Sequence, residues 1–101
     1  MEMIKYFLKN KRRYLKSNLA PKTQKEKVSI IYRFLIFTKK ELGIKNFSEI
    51  SKNNIKTYQK HLETKGAWSR LKKRYIPVSS AKVKEHISTI EKFYKKIEIH
   101  N

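Results

Sequence analysis

The chain has 101 residues, 26 of them Lys or Arg against 8 Glu and no Asp, for a formal net charge of +18. That length holds one domain with one modest core and leaves no room for a deep cleft between two lobes. The absence of cysteine excludes disulfides, thiolate metal sites and cysteine nucleophiles. So strong a positive charge repels itself in the compact state unless an anionic partner offsets it, which makes nucleic acid the first partner to consider. Part of the basicity has a blander source, since Lys, Ile and Asn abound together, as they do in chains translated from AT-rich genomes. The longest apolar run, FLIF at 34–37, is far too short to span a bilayer, and the N-terminal lysines follow the first apolar residues, unlike an export signal. A cytoplasmic protein with no membrane partner is expected.

Two Gly and two Pro, with no internal repeat, point to an all-α fold in a single domain over residues 1–101, built as one compact unit of four helices. Ile4, Phe7, Leu8 and Leu15 predict a first helix over 3–17 with a polar face of Lys5, Lys9, Arg12, Arg13 and Lys16. Thr23 and Glu26 have the spacing of a capping box and predict a second helix over 23–42, closed by Gly43. Val28, Ile31, Leu35, Thr38 and Leu42 form its apolar stripe, widened by Tyr32, Phe34 and Phe37, while Lys22, Lys25, Ser29 and Arg33 share the opposite face. Cap-type residues from Ser51 to Asn54 open a third helix over 52–65, with Ile55, Tyr58 and Leu62 turned inward and Gly66 closing it.

Residues 67–77, AWSRLKKRYIP, have no clean period and read as a basic loop carrying Arg70, Lys72, Lys73 and Arg74. The flanking Trp68 and Tyr75 could stack on bases, although such residues more often plug the edge of a core. Val83, Ile87, Ile90, Tyr94 and Ile97 then repeat at alternate spacings of four and three, predicting a fourth helix over 80–97. On that stripe Lys82, Glu85, Thr89, Lys92 and Lys96 fall away from the core.

Catalytic chemistry finds little to work with. His61, His86 and His100 come with no Cys or Asp and form no pair at a metal-binding spacing, and His61 and His86 read as surface or helix-flank residues. Walker loop, dinucleotide fingerprint and nucleophile elbow are all missing. The expectation is therefore no enzyme by itself, with no catalytic residue, metal, cofactor or small-molecule substrate. Anion-binding chemistry is better represented. A helix N-terminus offers unpaired N–H groups and the positive end of the helix dipole, and two predicted helices begin with hydroxyls and lysines, KTQK at 22–25 and SSAKVK at 79–84. Each alone is also an ordinary cap on a lysine-rich surface. A basic amphipathic first helix could lie on a membrane, but a domain of this size needs its apolar residues for the core.

Several segments in this order resemble a known family. A first helix, NLAPKT at 18–23, a long aromatic-rich helix, the Ile50-Ser51 start four residues before Ile55, and VSSAKVKEHISTIEKFY at 78–94 resemble the N-terminal core-binding domain of tyrosine recombinases of the phage-integrase and Xer-like type. The resemblance covers nearly the whole chain, and its last motif is the most specific. It implies a compact four-helix SAM-like orthogonal bundle covering one side of a DNA recombination site, in the integration and recombination of mobile elements. The catalytic arginines, histidine, lysine and tyrosine would belong to a separate domain beginning after about residue 101, with other recombinase protomers as partners in the full-length protein. In the family the second and fourth helices approach the major groove of double-stranded DNA. Carried onto matching positions, that implies Lys22, Thr23, Lys25 and Ser29, and Ser80, Lys82, Lys84, Glu85 and Thr89. Lys82, Glu85 and Thr89 are the candidates for reading base edges, with Glu85 able to accept from a cytosine amino group. Segment 67–77, where many relatives have a short turn, is the departure. Two other classes stay open: a small basic RNA-binding helical protein, and a helical regulatory protein whose charge reflects genome composition.

Overall fold

The computed structural model describes residues 2–15, 18–69 and 71–100. Helix α1 (Met3–Lys9) opens where the Glu2 carboxylate accepts the backbone N–H groups of Ile4 and Lys5 at 3.1 and 3.3 Å. The bond from Ile4 is the main reason the Glu2 carboxyl sits below the usual carboxylate range, and Lys39, 3.6 Å away near the end of the second helix, adds to it. The helix stops far short of the expected 3–17. Asn10 donates its side-chain amide to the Tyr6 carbonyl at 3.0 Å, giving the backbone an alternative to another helical turn. A 3₁₀ turn, Lys11–Arg13, follows, and Lys16 and Ser17 lie outside the described residues. The tighter path returns Tyr14 to the core at 4% exposure, whereas Leu8, expected inside, is exposed.

Helix α2 (Pro21–Leu42) begins two residues before the expected start, and the Thr23–Glu26 capping box does not form. Pro21 at the first helical position explains this: its fixed φ is already helical, and its missing N–H would have had no partner there. Gly43, at φ +67°, ends the helix in the left-handed region, and Ile44 donates back to the Thr38 carbonyl at 3.0 Å. Leu42, the last residue of the expected stripe, is exposed at this end. After a 3₁₀ turn at Phe47–Glu49, helix α3 (Lys52–Thr64) is opened by a capping box in which Ser51 and Asn54 satisfy each other's backbone donors.

Within the segment expected as a loop, residues 67–69 and 74–76 form strands. Strand β1 (Ala67–Ser69) pairs antiparallel with β2 (Arg74–Ile76), placing Trp68 opposite Tyr75. The two rings pack edge to face at 5.1 Å, a cross-strand contact that helps hold so short a ribbon. Gly66 at its root has φ +89°, and a Cβ there would run into the Ile76 carbonyl. Helix α4 (Ser80–His100) closes the fold, with Ser79 accepting the Lys82 N–H at 3.3 Å as its cap.

Helix α4 packs on both α2 and α3, and α1 packs on α2. Phe7, Phe34, Leu35, Ile90 and Phe93 are completely buried where these elements meet. Phe7, Tyr14, Phe47 and Phe93 form one aromatic cluster, with neighbouring rings 5.2 to 6.0 Å apart. The radius of gyration is 13.1 Å, the value expected of a compact body of this length. Among the described residues the architecture is mostly helical, with four α-helices and one two-stranded ribbon. No described helix is long and apolar enough to cross a membrane.

Candidate nucleic-acid interface

Each candidate residue takes its exposure from the element that carries it. Lys22 and Lys25 are exposed on the first turns of α2, with Thr23 and Ser29 half-buried between them and the core. Arg33, farther along the same face, is also half-buried. On α4, Ser80, Lys82, Lys84 and Glu85 are exposed, and Lys82 Nζ lies 3.4 Å from Glu85 Oε2. Lys72, Lys73 and Arg74 are exposed on the hairpin, and Arg70 lies outside the described residues.

Thr89 does not face outward. It is 4% exposed, as is fitting for a helix whose buried side is wider than the stripe from Val83 to Ile97 suggests. Because α4 serves two neighbours, Phe93 and His86 are also turned in, and Thr89 lies on their side of the helix. Of the three residues expected to read base edges, Lys82 and Glu85 remain available and Thr89 does not. His86, expected as a surface or helix-flank residue, is 8% exposed, and its Nδ1 has no hydrogen-bond partner. Burial pushes its pKa below the ordinary histidine value, the Arg33 cation pushes the same way, and Glu85 opposes them.

Arg33 joins the parts. Its charge acts on His86 of α4 and on Tyr58 of α3, whose phenol burial pushes up to about 12. Arg33 of α2 thus lies close enough to buried residues of α3 and α4 for its charge to act on both, about 16 Å along the helix axis from Lys22. The hairpin is attached to the same neighbourhood, because Tyr75 acts on Tyr58 and packs against His61 at 5.3 Å.

An open cavity of about 840 Å³ lies beside the first turns of α2. Lys25 and Ser29 line it together with Lys11 and Arg12 of the 3₁₀ turn and with Leu8, Leu15 and Val28. Lys11, Arg12 and Arg33 therefore belong with the candidate surface, though none stood out as a site in the sequence. The signal for the first two was Asn10, a helix breaker inside a run of cations.

Among the described residues only two ion pairs form, Lys39–Glu2 and Lys82–Glu85, so the other described Lys and Arg side chains project without a carboxylate in reach. Nor do any three His or Glu side chains there gather into a cluster that could hold a metal ion. Compared with family models, with curated proteins and with solved structures, the chain matches none.

Proposed function

We propose that the chain is the DNA-binding domain of an integrase-type tyrosine recombinase, its helices forming the SAM-like orthogonal bundle of the core-binding unit. It grips duplex DNA in the cytoplasm through the N-terminal parts of α2 and α4, and strand exchange is left to a separate catalytic domain. The observation that carries this reading is the set of cations and hydroxyls on Lys22, Lys25, Ser29 and Arg33 of α2 and Ser80, Lys82 and Lys84 of α4, two helices that pack on each other, with Lys82 alone of these cations held by a carboxylate, on a chain of net charge +18. Lysines and hydroxyls in that arrangement hold phosphates and set register, while Lys82 and Glu85, one turn apart, present a donor and an acceptor to base edges. In the free protein these two satisfy each other, so base reading would exchange their mutual contact for one with DNA.

Salt dependence tests the reading. If about 6 to 10 phosphates are contacted, affinity falls roughly 10³- to 10⁵-fold between 50 and 200 mM salt. Lys25→Ala with Lys82→Ala weakens duplex binding more than Lys9→Ala with Lys45→Ala, all four residues being exposed. Equal losses would mean diffuse attraction with no defined face. A preference for structured RNA over duplex DNA in direct competition would favour the RNA-binding class instead.

A further inference from the structure

The hairpin is the one element that α-helical packing does not require. Its register sets Ser69 opposite Arg74, so the turn between them carries Leu71 at its tip, 97% exposed. Single exposed leucines are ordinary on protein surfaces. This one differs in its setting. Lys72, Lys73 and Arg74 follow it directly and are all exposed, so the apolar tip sits beside a block of positive charge.

The turn is also held against its preference. Lys73 adopts φ 51°, a left-handed conformation that glycine or asparagine occupies at lower cost. The Lys72 N–H donates to Ser69 Oγ at 3.2 Å across the same turn. Behind the tip, a chain of rings runs down to the core. Trp68 packs edge-on to Tyr75 at 5.1 Å, Tyr75 meets His61 at 5.3 Å, and His61 stacks on buried Tyr58 and leans on Phe37 at 4.8 Å. At the root of the ribbon Gly66 lies so close to the Ile76 carbonyl that no side chain fits there.

We propose that this hairpin is a wedge for duplex DNA: Leu71 enters between base pairs from the minor groove while Lys72, Lys73 and Arg74 hold the phosphates beside it. The proposal rests on the DNA-binding reading above and extends it from gripping the duplex to deforming it. Apolar wedges of this kind partly unstack one base step and kink the helix, and they act most cheaply at flexible pyrimidine–purine steps. A single leucine suits a base step in size, whereas it is a meagre anchor for a lipid surface, where stable attachment needs far more buried hydrocarbon. The adjoining exposed cations suit the phosphates that border the groove.

The test uses the full chain and a duplex of about 30 bp with 2-aminopurine at a TA step and a fluorophore pair at its ends. The wild type binds, brings the ends closer and raises the 2-aminopurine fluorescence. Leu71→Ser, at a side chain that touches almost nothing in the fold, abolishes both signals and lowers affinity about tenfold while leaving the salt slope unchanged. Lys72→Ala with Lys73→Ala lowers that slope by about two. Wild-type binding with neither signal, or Leu71→Ser bending the duplex as the wild type does, overturns the wedge and leaves the DNA-binding reading standing. No duplex binding at all at 50 mM salt overturns both readings. Sedimentation with phosphatidylserine vesicles that is lost in Leu71→Ser, with the DNA signals unaltered, would make the tip a membrane contact and also overturn the wedge.

Discussion

His86 is a basic side chain kept uncharged beneath the face that carries Lys82 and Glu85. Burial disfavours its cation, Arg33 and Lys82 repel it, and Glu85 alone works the other way; His61 is lowered in the same sense by burial and Lys65, with Glu41 opposing. In the unfolded chain both rings titrate near about 6.5. Below that pH the unfolded state binds more protons than the folded one, so stability is fully present above it and is lost as pH falls toward the depressed folded-state values. The melting temperature, followed by circular dichroism, is therefore expected to drop between about pH 7.5 and 5.5, and the drop should shrink in His86→Gln. A melting temperature flat across that range would refute the account. Lys73 is a second residue held at a cost. Lys73→Gly relieves its left-handed backbone and should raise stability by about 1 kcal/mol in urea unfolding, while weakening duplex binding through the lost cation.

Elements with strong punctuation are the ones that depend least on their neighbours for definition. Helix α3 is delimited by its own cap, so Ser51→Ala should cost about 1 kcal/mol in urea unfolding, an effect absent from Ser48→Ala on the exposed turn before it. Phe93, at the meeting point of three aromatic neighbours, stands at the other extreme. Phe93→Ala should cost about 3–5 kcal/mol, a large share of the stability of any small domain. The same distinction governs what could be read in the sequence. Helices α2, α3 and α4 were legible because Gly43, the residues around Ser51 and the spacing from Val83 to Ile97 are local signals. The early end of α1 was not, because it turns on whether Asn10 prefers the Tyr6 carbonyl to water and on how far Tyr14 must travel to reach Phe93. The ribbon is not legible for a related reason: strands of three residues have no period to detect, and their register depends on Trp68 and Tyr75 meeting across the turn. Thr89 was misplaced because a periodic stripe gives the centre of a buried face but not its width, which is set by how many elements pack against it.

For the molecule as a whole, one quantity pulls two measurable properties in opposite directions. A net charge of +18 on a body with a 13.1 Å radius of gyration, with only two ion pairs among the described residues, raises the free energy of the compact state through repulsion among like charges. Salt screens that repulsion over about 10 Å at 0.1 M, a distance comparable to the protein's own radius, so added sodium chloride should raise the melting temperature of the free protein. The same screening, with the loss of counterion release, should weaken duplex binding steeply. A duplex present at about 100 times its Kd stabilises the folded state by about 2.7 kcal/mol, provided that it does not bind the unfolded chain. For a domain of this length that corresponds to a melting-temperature rise of roughly 10–20 °C at low salt. Plotted against salt, the melting curves with and without duplex should therefore converge, the free protein rising and the complex falling toward it. Scanning calorimetry of both samples across the same salt series checks this directly. Parallel curves would mean that the charge is not what holds the duplex. An equal rise with heparin in place of duplex would mean that charge is all that holds it, leaving Lys82, Glu85 and the α2 face no special part.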